Sequence, residues 1–121
     1  MTKRVLAIGI DPRAADPAQL QGLSSELILS YIDTQLERVR ALGYELRACL
    51  VDNGATAERV LQRELDAGPF DCVMFGAGIR DDSQLLLFEK LLNLVHARLP
   101  GAKICFNSNP ADTAEAVQRW V

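Results

Sequence analysis

Apolar and polar positions alternate along the chain in two rhythms. Residues 4–10, Arg4-Val5-Leu6-Ala7-Ile8-Gly9-Ile10, form a nearly continuous apolar run. That pattern predicts a strand covered on both faces. Asp11-Pro12 stops it, and a polar loop with two prolines follows over residues 12–22, longer than the usual βα connection. The rhythm then changes to 3.6. Leu27, Ile28, Tyr31, Ile32, Leu36 and Val39 share helical spacing, so residues 24–42 read as a helix. Ser24 or Ser25 caps its start and Gly43 ends it.

Period two returns over residues 44–51. Tyr44, Leu46, Ala48 and Leu50 lie on one face, and Glu45, Arg47, Cys49 and Val51 on the other. Charge within a strand suits a sheet edge. Asp52-Asn53-Gly54 turns the chain into a second helix over residues 56–67, closed by Gly68-Pro69. Residues 70–75 form a third strand, which carries an apolar run. Residues 82–99 form a third helix and residues 102–107 an alternating fourth strand. A last helix begins near Asp112, which stands in capping-box spacing with Glu115.

Strands alternating with helices imply parallel pairing through right-handed crossovers. The expected fold is a three-layer α/β/α domain with a four-stranded parallel sheet. Strands one and three read as buried, two and four as edges. The order 2-1-3-4 satisfies both, and it is the first four strands of the flavodoxin-like order. The alternative, a Rossmann-like 3-2-1-4, puts the apolar strand three on an edge. Order 2-1-3-4 sets helix one on one sheet face and helices two and three on the other, with helix four joining either.

Composition narrows the class. At 121 residues, 49% apolar and 24% charged, the chain suits one domain spanning 1–121. Its net charge is −3 and no Lys/Arg cluster stands out, so no nucleic-acid partner is expected. The apolar run near the start is too short for a secretory signal, and no stretch approaches a membrane span. A cytoplasmic protein with no membrane partner is the expectation. Cys49, Cys72 and Cys105 lie in strands without a CxxC pair, and His96 is the one histidine. Buried free thiols are expected, and neither zinc nor any other metal site.

Open parallel sheets bind ligands beyond the C-terminal strand ends, where strand order reverses. In order 2-1-3-4 that point lies between strands one and three. The candidate ligand-binding residues there are Asp11, Arg13, Gly76, Gly78 and Arg80. Asp52 and Asn53 follow strand two, and Asn107, Ser108 and Asn109 follow strand four. Glycines let backbone amides approach a ligand, and Arg80 carries a fork that fits carboxylate or phosphate. Asp81 and Asp82 beside it would repel an anion, and are also good helix caps.

Several chemistries are excluded. Gly76-Ala77-Gly78 lacks the third glycine of a dinucleotide fingerprint. There is no P-loop, so P-loop nucleotide binding is not supported, and no GxSxG elbow. A phosphoacceptor aspartate after strand three is absent, because that strand ends in Phe75-Gly76. No hydroxyl-rich phosphate loop follows strand one, so FMN is not supported. His96 sits about 20 Å along helix three, at 1.5 Å per residue, away from the rim. The first expectation is a domain binding a small anionic or polar molecule at the strand ends, with residues 12–22 as a lid. One alternative is a homo-oligomeric interaction module using the broad apolar faces of helices one and three. The other is a small enzyme with Asp11 as its acid or base.

Overall fold

The computed structural model describes residues 2–121. It contains β1 (Arg4–Ile10), β2 (Glu45–Val51), β3 (Cys72–Phe75) and β4 (Lys103–Phe106). All pairings are parallel and the order is β2-β1-β3-β4. The helices are α1 (Ser25–Ala41), α2 (Ala57–Asp66), α3 (Leu85–Arg98) and α4 (Thr113–Gln118). The sheet is therefore the 2-1-3-4 arrangement, and the 3-2-1-4 alternative does not form.

Local signals act as the residue types require. Ser24 Oγ accepts the amide of Leu27 at 3.1 Å and opens α1. Gly43 closes it at a φ of 99°, a left-handed backbone that glycine adopts without a Cβ clash. The capping box near α4 lies one turn earlier than the Asp112–Glu115 spacing suggests. Asn109 begins a short 3-10 turn over Pro110–Asp112. The Asp112 carboxylate accepts from the amide and hydroxyl of Ser108 rather than capping α4.

The sheet divides the core in two. On one face Leu6, Ile8, Val73 and Phe75 meet Leu61 and Leu65 of α2 and Leu91 and Val95 of α3. On the other, Val5, Ala7, Cys72, Met74 and Cys105 meet Leu36 and Val39 of α1 and Ala114, Ala116 and Val117 of α4. Helix α4 thus joins α1. The first face carries an edge-to-face aromatic pair, Phe75–Phe88, with ring centroids 5.3 Å apart. Phe106 adds a third ring, 5.9 Å from Phe88.

The three cysteines are buried and free. Burial, with Glu64 nearby, pushes the Cys49 thiol up to about 12, so no thiolate forms near neutral pH. Cys72 and Cys105 place their sulfurs 3.5 Å apart in the core.

On each sheet edge an arginine takes one outward carbonyl. The β1–β2 ladder begins with Glu45 N–H donating to the Lys3 carbonyl, so Leu46 turns its peptide outward. Arg40 of α1 donates to the Leu46 carbonyl at 3.1 Å. On β4, Lys103 N–H donates inward to the Asp71 carbonyl, so Phe106 faces out. Arg119 donates to the Phe106 carbonyl at 2.8 Å.

Candidate functional site

The C-terminal strand ends converge on the β1–β3 switch point. β1 sends Val5, Ala7 and Gly9 toward α1, each smaller than the last. Helix α1 does not descend to fill the space this leaves. Of its 17 residues only Leu36 and Val39 are buried, both in its C-terminal half. The result is a pit of about 120 Å³. Its walls are Ala7, Gly9, Ile32, Leu36, Leu50 and Met74, and Gly76, Ala77 and Gly78 form its lip. Gln35, Asn107 and Thr113 supply its polar groups.

The pit opens into a shallow cleft of about 800 Å³ at the rim, sharing Ala77, Gly78 and Pro110 with it. Asp16, Gln19, Leu20, Leu23 and Ile28 form the far wall, with Asp81 and Ser83 beside the glycine loop. A groove along Leu23, Leu27, Ile28 and Tyr31 continues the cleft down α1. Among the described residues no lysine or arginine lines the pit or the cleft.

The loop after β3 is held at both ends. Gly76 N–H donates to the Ile8 carbonyl at 2.8 Å, and the Ile79 side chain is fully buried on the α2–α3 side. Among the described residues, the amides of Ala77 and Gly78 donate to no protein acceptor. Neither Gly78 nor Gly9 has a positive φ. A Cβ at Gly78 would meet only Ile10 carbons at 3.8 and 3.9 Å, and one at Gly9 only Leu50 Cδ2 at 3.6 Å. Both are ordinary contacts. The chain's own packing therefore does not require glycine at either position, although glycine weakens a strand interior.

The ten residues singled out by sequence separate into two sets. Gly76, Gly78 and Asn107 line the pit, and Gly78 and Asn109 line the cleft. Asn107 is buried; its Nδ2 donates to Thr113 Oγ1 at 3.1 Å. The other six are engaged with the protein itself. Asp11 receives Arg13 Nε, Nη2 and backbone N–H at 2.9–3.0 Å, and the Arg13 guanidinium holds its carboxyl below the usual range. A carboxylate so held is a weak base near neutral pH. Asp52 gathers the amides of Gly54 and Thr56 and the Thr56 hydroxyl at the entry to α2. Ser108 donates to Asp112.

Asn53 ties the rim together. It donates to the Ala14 carbonyl at 2.6 Å and accepts from the buried Gln84 at 2.9 Å. Gln19 reaches Ser83 Oγ at 3.3 Å across the cleft. These bonds fix the segment after β1, which folds as two 3-10 turns, Pro12–Ala14 and Pro17–Leu20.

Arg80 has the most consequential placement. Its Nε donates to the Phe75 carbonyl at 3.1 Å, and its Nη2 to the carbonyl and Oδ1 of Asn107. The guanidinium stacks over Phe106, 5.1 Å from the ring centroid. The β3–β4 ladder would next use the Phe75 carbonyl, and Arg80 takes it where the strands end. Burial draws its pKa down, partly offset by Asp112. Its Nε and Nη2 are directed to the strand ends, and the residue lines neither the pit nor the cleft.

The sequence reading missed the pit walls. Ala7, Gly9, Ile32, Leu36 and Met74 look like core in a periodicity analysis. The available signal was the shrinking series Val5, Ala7, Gly9 on one strand face. Among the described residues no helix is long and apolar enough to cross a membrane, and no cluster of three metal-ligating side chains occurs. The chain matches no family model, no curated protein and no solved structure.

Proposed function

We propose that this protein binds a small molecule at the β1–β3 switch point, seating part of it in the pit and part in the rim cleft. The observation that carries this is the pair of glycines, Gly9 and Gly78. They line the pit from two strand ends, and no contact or dihedral within the chain calls for them. Open space at the switch point is where parallel sheets hold ligands. A cleft of about 800 Å³ lies within the range of small-molecule sites. An enzyme built on Asp11 has less support, because Arg13 engages that carboxylate.

A fragment screen by thermal shift tests the proposal. A ligand at ~100 times its dissociation constant adds about 2.7 kcal/mol, a shift of several degrees for a domain this size. The expected result is a hit that perturbs the Ala77 and Gly78 amide resonances and is lost in Gly9→Val, which fills the pit. Hits that ignore Gly9→Val and leave those amides unmoved would place binding elsewhere and remove the proposal.

A second function, self-association through α1, has one observation in its favour. Leu27 is 55% exposed and Tyr31 44% exposed, beside Leu23 at 50%. Sedimentation velocity of the wild type and of Leu27→Lys tests it. A monomer in both cases would sink it.

A further inference from the structure

Resting on the small-molecule reading, we infer that the ligand is uncharged, with a compact apolar body and a carbonyl oxygen as its polar head. Three features of one surface select this class. The pit is apolar on Ala7, Gly9, Ile32, Leu36 and Met74, and at about 120 Å³ it is slightly smaller than a benzene-sized site. A ring or branched aliphatic group fills it, and a chain with no apolar body leaves it empty. The lip is formed by Gly76, Ala77 and Gly78, and among the described residues the amides of Ala77 and Gly78 have no protein acceptor. Solvent serves these donors in the free protein, and a carbonyl oxygen of the ligand can replace it.

Charge decides between oxygen acceptors. Among the described residues no lysine or arginine lines the pit or the cleft. Arg80, the nearest candidate by sequence, donates to the Phe75 and Asn107 carbonyls instead. Asp16 and Asp81 face the cleft, and the Ser83 hydroxyl and amide keep Asp81 ionised by lowering its pKa. Phosphate sites ordinarily set cations beside their amides. Here the fixed charges are negative, so each negative charge on a ligand weakens binding. This narrows the anionic-or-polar class of the sequence reading to its uncharged half.

Three probes isolate the point, because they share a ring and differ in head-group charge: benzamide, benzoate and phenyl phosphate. Each is titrated at low salt and followed at the Ala77 and Gly78 amide resonances. The expected order is benzamide tightest and phenyl phosphate weakest, with steps of roughly five- to tenfold that shrink as salt is added. Benzamide binding should vanish in Gly9→Val. Ile32→Trp, which fills the pit from α1, should repeat the loss if Gly9→Val does not fold. Phenyl phosphate binding tightest, or all three binding alike, would overturn the inference. Silence from all three beside a cleft hit of other chemistry overturns the ligand class and leaves the small-molecule reading standing. No cleft hit in the wider screen overturns both.

Discussion

The two faces of the β1 strand are built from opposite choices. Toward α2 and α3 it presents Leu6, Ile8 and Ile10; toward α1 and α4 it presents Val5, Ala7 and Gly9. The first face closes on large side chains from both helices, and Leu61, Leu91 and Val95 are fully buried there. On the second, side-chain volume falls toward the strand end while the N-terminal half of α1 stays clear, with Leu27 and Tyr31 exposed. One face spends its apolar residues on cohesion. The other leaves an opening at the place where a parallel sheet can receive a ligand. On the proposed reading, stability and binding fall on different sides of one strand.

Truncations on the two faces break or sharpen this contrast most strongly. Leu61→Ala should lower unfolding free energy by about 2–5 kcal/mol, as a fully packed leucine does. Ile32→Ala, half-buried at the pit, should lower it by about 1 kcal/mol, since little packing is lost. Urea denaturation gives both values, and equal losses would end the distinction.

Arg80→Ala comes next. It strands the Phe75 and Asn107 carbonyls and removes the stack on Phe106, at a cost of about 1–3 kcal/mol. The same variant should leave benzamide binding largely unchanged. A large loss of affinity without loss of stability would return Arg80 to the ligand.

Gly9→Ala should move the other way. A Cβ there meets only Leu50, so removing strand glycine should stabilise the protein by roughly 0.5–1 kcal/mol while narrowing the pit. Gain in stability with loss of binding is the joint outcome that the two-face picture requires.

The smallest effect is a slope with pH. Hydrogen bonds hold the carboxyls of Asp52, Asp81 and Asp112 below their usual range, through Thr56, Ser83 and Ser108 respectively. A lowered native pKa contributes stability that is present above the unfolded value and lost as pH falls through the native one. The chemical-denaturation midpoint should therefore decline between about pH 5 and pH 2. Asp52→Asn should flatten that decline, and an unchanged slope would show that the α2 entry does not contribute.

The strand order was legible because burial leaves a pattern. The apolar runs of β1 and β3 and the alternation of β2 and β4 reflect two covered faces or one. Helix ends were legible where a single residue type acts locally, as Ser24 and Gly43 do. The site was only partly legible. Glycines and asparagines near strand ends mark loops, so Gly76, Gly78, Asn107 and Asn109 were found. A pit is a deficit of volume shared by β1, β3 and α1, and no single segment records it. The destination of a long side chain is equally non-local. Arg80 reaches a strand end 27 residues away in sequence. Its neighbours in the chain give no sign of that.

The arginines on the outer carbonyls of β2 and β4 bear on how the molecule behaves among its own kind. An unpaired strand edge is a template on which another chain can add and propagate. Arg40 and Arg119 each occupy one outward acceptor and place a cation beside it. An incoming strand must displace a hydrogen bond and strip water from a guanidinium before its first rung forms. With both edges so guarded, the sheet resists growing by copies of itself at high concentration, and losing either arginine should show first as turbidity on storage.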